Sequence, residues 1–278
     1  MLIALLSTII SSFADVFWKK TMSYNVKPFA HSLASFPVVV ILCIYFLSTG
    51  FSLSSVEIVA AGTIFFILML DVIKVPVLQQ VYKEEKVSVL MPYLNLNKVF
   101  VIIASFFLFK DVSYISFCII IFTVLVIILS SIDIKNRKLP RNFWKIIFIE
   151  ANRTICALVG GWVILEYSEI TYFVVYGLIW FVVFLLLSIK TKQIQALTHV
   201  PKTYWKLRPI GSLWWFSWFL SLVVIKNLWL SIWILLWFLW IWVTLIVSYF
   251  FLKDTPSRKD ITLTFVVAIL IAIGFYFK

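Results

Sequence analysis

The sequence predicts an all-α membrane protein: a polytopic bundle of ten transmembrane helices built as two inverted five-helix repeats. Three observations point there. Hydrophobic types make up 63% of the 278 residues and charged types only 13%, against about 25% charged residues in an average soluble domain. The mean hydropathy is +1.08, more apolar surface than a water-soluble fold of this length can hide. The apolar residues come in runs of about 20, the length of a helix that crosses a bilayer core of roughly 30 Å. Barrel strands would be shorter and alternating, and lipid admits no third backbone that satisfies its own hydrogen bonds. A soluble enzyme, a disulfide scaffold and a disordered chain are disfavoured together.

The apolar segments are 2–22, 30–49, 57–80, 87–109, 113–132, 142–163, 170–189, 207–225, 228–250 and 260–277. Residues 1–6 lack the basic start of a signal peptide, so the first segment is expected to be a retained helix. Gly50 and the serines at 52, 54 and 55 stop the second segment, and Glu57 opens the third. The most basic linker, 136–140, divides the chain almost in half. The longest loop, 190–208, carries Lys190, Lys192, Lys202, Lys206 and Arg208, with Tyr204 and Trp205 as interface anchors. Asp254, Thr255, Pro256 and Ser257 break the chain before the last segment. Cys43, Cys118 and Cys156 sit in apolar runs, and no CxxC pair is present. His31 and His199 lie near segment ends, outside any metal-ligand spacing.

An internal repeat supports the two-unit reading. Ser105-Phe106-Phe107-Leu108-Phe109-Lys110-Asp111 matches Ser248-Tyr249-Phe250-Phe251-Leu252-Lys253-Asp254 at an offset of 143 residues. Each copy ends an apolar segment, and one more segment follows. Five segments per unit is odd, so the second unit enters the membrane from the opposite side, as in many secondary transporters. The units are expected at 1–134 and 142–278, joined by the basic linker 135–141. Loops after odd-numbered segments hold seventeen Lys and Arg, and loops after even-numbered ones hold two, Lys110 and Lys226. The positive-inside rule puts the odd loops in the cytoplasm and both termini outside. The same rule explains a net charge of +12 without nucleic acid as a partner.

Charges inside spans are the most informative residues, because each costs roughly 2.5–3.5 kcal/mol near the bilayer centre and so faces a bundle interior or an aqueous path. Asp15 and Lys19 share a face of segment 1, with Trp18 beside them. Asp71 and Lys74, three apart in segment 3, suit an intrahelical ion pair, and Pro76 follows them. Asn95 and Lys98 share a face of segment 4, and Lys98 has no acidic neighbour in its own segment. Glu150 and Arg153, three apart in segment 6, can pair, and Arg153 can offer a fork to a carboxylate or phosphate. Polar glue between helices is the plainer reading of these pairs. Trp229, Trp233 and Trp237 form a stripe on segment 9 that either lines an aromatic cavity or packs against lipid. The charges roughly balance, which suits a polar or zwitterionic solute, or a proton-coupled carboxylate, better than a purely cationic one. No Walker loop, HExxH or Ser/His/acid set is present, so no enzymatic activity, cofactor or catalytic residue is expected.

The run Ser11-Ser12-Phe13-Ala14-Asp15-Val16-Phe17-Trp18-Lys19-Lys20, the stretch from Ser88-Val89-Leu90-Met91-Pro92 to Lys110-Asp111, and the echo at Lys253-Asp254 resemble the drug/metabolite transporter superfamily, in particular its EamA-like family. The resemblance covers the whole chain as architecture and about 60 residues as motif. It implies a secondary transporter moving a small-molecule metabolite, often outward, through a cavity between the two halves. The expectation is a multi-pass carrier of the plasma membrane or bacterial inner membrane that works by alternating access, with Glu150, Asp71 and Asp15 as alternative sites for a coupling proton. The resemblance implies no ATPase subunit. A monomer or homodimer among membrane lipids is expected. Many relatives keep both termini in the cytosol, opposite to the charge count. The competing expectation is a membrane-embedded flippase or enzyme acting on a lipid-linked phosphate or sugar.

Overall fold

The computed structural model describes residues 2–24, 26–48, 57–90, 93, 96–97, 99–100, 103, 113–131, 142–227 and 230–276, and among these every regular element is helical. In order they are α1 (Leu2–Met22), α2 (Pro28–Leu33), α3 (Phe36–Ser48), α4 (Ile58–Glu84), α5 (Val87–Leu90), α6 (Tyr114–Ser131), α7 (Phe143–Glu166), α8 (Glu169–Lys190), α9 (Lys202–Ser212), α10 (Trp214–Asn227), α11 (Leu230–Leu252) and α12 (Arg258–Tyr276). A 3-10 turn, Ile194–Leu197, lies between α8 and α9. Among the described residues, three stretches are long and apolar enough to cross a membrane: Ile58–Glu84, Phe143–Ile164 and Glu169–Lys190.

Two apolar runs expected as single helices are interrupted. The run 30–49 is split at Ala34 and Ser35, because Pro37 has no N–H to give the carbonyl four residues back. The run 207–225 begins inside α9 and turns at Leu213, four residues after the helix-interior Pro209. Arg208, read from sequence as a loop charge, is therefore carried into the interior on α9 and is 2% exposed. The stretch 190–208 is correspondingly no bare loop. Pro76, by contrast, leaves α4 continuous over 27 residues.

Helix α1 is the central post, packed along α9, α10 and α11. Helix α4 lies on α7, α8 crosses α2, α3 and α4, and α6 pairs with α12. One apolar core gathers Met22, Tyr82, Leu90, Ile146, Trp240 and Val267. A second gathers Val39, Ile64, Val163, Phe173, Trp180 and Trp215. Outside these cores, large apolar side chains such as Ile41, Phe66, Trp144 and Phe250 are exposed, as a lipid-facing surface requires. Hydroxyls also join neighbouring helices. Ser7 Oγ reaches Ser221 Oγ at 2.8 Å and Ser217 donates to the Ser7 carbonyl at 2.9 Å, joining α1 to α10. Ser12 donates to the Trp240 carbonyl at 3.2 Å, joining α1 to α11.

The basic connections meet at one end of the bundle. Lys19 Nζ donates to the Glu85 carbonyl, and Lys20 Nζ to the Phe251 carbonyl at 3.4 Å. Asn142 Nδ2 donates to Glu84 at 3.1 Å and to Glu85 at 2.8 Å. The Phe29 amide donates to Gln193 Oε1 at 3.0 Å. At the other end, Tyr167 donates to Glu57 at 3.1 Å. At the basic end two helices stop without glycine. Lys192 (φ 54°) and Lys253 (φ 55°) take the left-handed conformation, and the next amides turn back onto Ser188 and Ser248 carbonyls.

Candidate functional site

Two polar stations lie inside the bundle. The first joins α1, α4, α7 and α11. Trp240 Nε1 donates to Asp15 Oδ2 at 3.1 Å. Arg153 Nη1 donates to Glu150 Oε1 at 2.8 Å. The Arg153 guanidinium also faces Asp15 and the Tyr82 hydroxyl. Glu150 is fully enclosed, whereas 28% of the Arg153 side chain is accessible, and Asp15 is half-buried. Asp15 and Arg153 thus carry opposite charges near one another, each with part of its surface accessible. Thr154 ties α7 to the segment after α5 by donating to the Asn97 carbonyl at 3.2 Å.

The helical spacing explains the placement. Glu150 and Arg153 are three apart, so both meet the same inner face of α7, and Thr154 extends that face. Low accessibility strengthens their attraction, since the local dielectric is far below that of water.

The second station joins α4, α7 and α8. Asp71 forms an ion pair with Lys74 and accepts a hydrogen bond from the Tyr176 hydroxyl. Asn152 Nδ2 donates to the Leu70 carbonyl at 3.0 Å, fixing α7 against α4. Behind Tyr176 stands an aromatic wall. Its ring lies 5.0 Å from Trp218 and 5.9 Å from Tyr172, and Trp218 stacks at 5° on Trp214.

Of the residues singled out in the sequence, Asp15, Glu150 and Arg153 come together in the first station, and Asp71 and Lys74 form the second. Lys19 turns to the basic end instead. Trp18 packs edge-on against Tyr82 at 5.3 Å and tilts over His31 at 5.7 Å. Asn95 and Lys98 lie outside the described residues, as do the first copy of the repeat motif and the linker 135–141. Trp233 and Trp237 fall on α11, with side chains outside the description. Sequence reasoning missed Tyr82 and Tyr176, because a tyrosine in an apolar run carries no charge signal. It also missed Trp240 as a partner of Asp15, since only the fold brings α11 to α1. Among the described residues, no group of three or more His, Cys, Asp or Glu is placed to hold a metal ion.

No family model matches the chain, and no curated protein matches it. What stands is a largely helical protein with several long apolar helices and membrane character.

Proposed function

We propose that the protein is a multi-pass secondary transporter that exports a small polar or amphipathic metabolite by alternating access between two inverted five-segment units. The observation that carries this reading is the first station. Asp15 comes from segment 1 and Arg153 from segment 6, equivalent segments of the two units, and each keeps part of its surface accessible. Charges in spans are retained at a cost of several kcal/mol, and a solute path is the usual reason.

The packing supports the repeat. Exchanging each segment with the one five later returns several of the observed pairs. Segments 3 and 6 pack as α4 on α7, and their counterparts 8 and 1 pack as α10 on α1. Segments 5 and 10 pair as α6 with α12, and segments 2 and 7 pair through α3 and α8. The end-to-end contacts support the topology, since the connections after segments 1, 3, 5, 7 and 9 meet at the basic end. That end is cytoplasmic by its charge. Lengths of 21, 18, 23 and 19 residues also suit α1, α6, α11 and α12 to spanning.

In this reading a solute with both signs of charge bridges Asp15 and Arg153. The coupling proton sits on Asp15, because protonation removes a costly charge as the units rock. The aromatic wall near Asp71 receives the apolar part of an amphipathic solute. Comparing metabolites inside and outside cells with and without the protein identifies the solute, and counterflow in vesicles tests it. Asp15→Asn and Arg153→Gln each reduce flux at least about tenfold with normal membrane insertion. Undiminished flux in both variants overturns the role of the station. Lipid scrambling without soluble flux replaces the transporter by a flippase.

A further inference from the structure

A third polar cluster lies at the basic end, apart from both stations. Arg208 on α9 is 2% exposed and His31 on α2 is 1% exposed. Arg208 Nη2 donates to the His31 carbonyl at 2.8 Å, and Tyr204 Oη sits 3.2 Å from His31 Nδ1. Arg208 Nε, Arg208 Nη1 and His31 Nε2 are all buried without a hydrogen-bond partner. Among the described residues, the two ion pairs are Asp71–Lys74 and Glu150–Arg153, so no described carboxylate pairs with Arg208. Lys83 adds its positive field to His31.

A buried guanidinium held only by neutral acceptors, the His31 carbonyl and the Tyr204 hydroxyl, is a poor structural device. An unpaired buried charge costs several kcal/mol, and an uncharged donor would hold the His31 carbonyl at lower cost. The buried donors come instead from two short helices, α2 and α9, which the Arg208–His31 hydrogen bond holds together. With the Tyr204 hydroxyl donating to Nδ1, His31 Nε2 carries its proton and becomes a third kind of donor. Donors in several directions match a group with oxygens in several directions better than a planar carboxylate. Arginine is the side chain most suited to such a group.

We propose that Arg208 and His31, positioned by Tyr204, form a binding site for a phosphate group at the basic end of the bundle. The site does not depend on the transport reading. The phosphate comes either from a soluble phosphate or from the headgroup of an anionic phospholipid. Helix α9 suits both sources, since its outer face presents Lys202, Trp205 and Lys206 to the surroundings.

The test uses the full-length protein in nanodiscs of neutral phosphatidylcholine, with thermal unfolding as the readout. One arm adds inorganic phosphate against chloride at equal ionic strength. The other replaces part of the lipid with phosphatidylglycerol. A saturable rise in Tm of several degrees is expected in at least one arm. A rise with inorganic phosphate identifies a soluble source, and a rise with phosphatidylglycerol alone identifies the headgroup. Arg208→Gln abolishes the rise. Arg208→Lys, which keeps the charge, and Tyr204→Phe, which releases His31, each weaken the apparent affinity by about tenfold. The proposal is overturned if neither arm gives a saturable rise in the wild-type protein. It is equally overturned if the rise persists unchanged in Arg208→Gln or, should that variant not fold, in both Arg208→Lys and Tyr204→Phe.

Discussion

Arg153 and Glu150 are the residues whose single replacements are most informative. Glu150 has no accessible surface and its carboxylate is held by Arg153. Removing Arg153 withdraws a charge-assisted hydrogen bond from the enclosed carboxylate, at about 1.5–3 kcal/mol, whereas replacing both residues removes part of that penalty. Arg153→Met is therefore expected to lower the unfolding temperature in detergent more than the Glu150→Gln/Arg153→Met double variant does. A double variant as unstable as the single one contradicts the enclosed-pair account. At the second station, Tyr176→Phe removes the hydroxyl that Asp71 accepts from. The expected loss is about 1.5–3 kcal/mol, as for a hydrogen bond to a charged group, read by the same unfolding measurement. An effect within error would show that Lys74 alone satisfies Asp71.

At the scale of the helix, glycines separate close approach from open surface. A Cβ on Gly177 would meet Val39 Cγ1 at 2.9 Å, while one on Gly62 or Gly161 would meet nothing. Gly177→Ala is expected to cost about 1–3 kcal/mol by forcing α3 from α8. Gly62→Ala and Gly161→Ala are expected to be neutral or to gain up to about 1 kcal/mol from helix propensity. Parallel melting curves of the three variants check the order. The left-handed stops predict the opposite sign. Lys192→Gly relieves a side chain held at positive φ and is expected to stabilise by up to about 1 kcal/mol. The helical class, the long apolar elements and the pairing of Asp71 with Lys74 were legible in the sequence, since hydropathy and i,i+3 spacing are local signals. The breaks at Ser35 and Leu213 were not drawn, although Pro37 and Pro209 mark them. A proline is tolerated near a helix start and inside α4 alike, so its effect depends on the neighbours. Arg208 was placed among loop charges for a related reason. Its helix is polar on average, and only the burial of Tyr204, Gly211 and Ser212 beside it reveals an inward face.

At the scale of the whole molecule, the end-to-end contacts make topology testable. With Cys43, Cys118 and Cys156 replaced by serine, cysteines at Asn136 and Gln193 are expected to react with an impermeant maleimide from the cytoplasmic side only. A cysteine at Ser168 is expected to react from the outside only. Labelling of Gln193 and Ser168 from one side would break the alternation of segments. The contact between Trp215 Nε1 and Ser35 Oγ, at 3.4 Å, ties together the two places where long apolar runs are interrupted. Helices α2 and α9, beyond those interruptions, are also bound to each other through His31 and Arg208. The two short helices are thus fastened to each other as well as to the long ones, so a substitution that shifts α2 is expected to displace α9 with it.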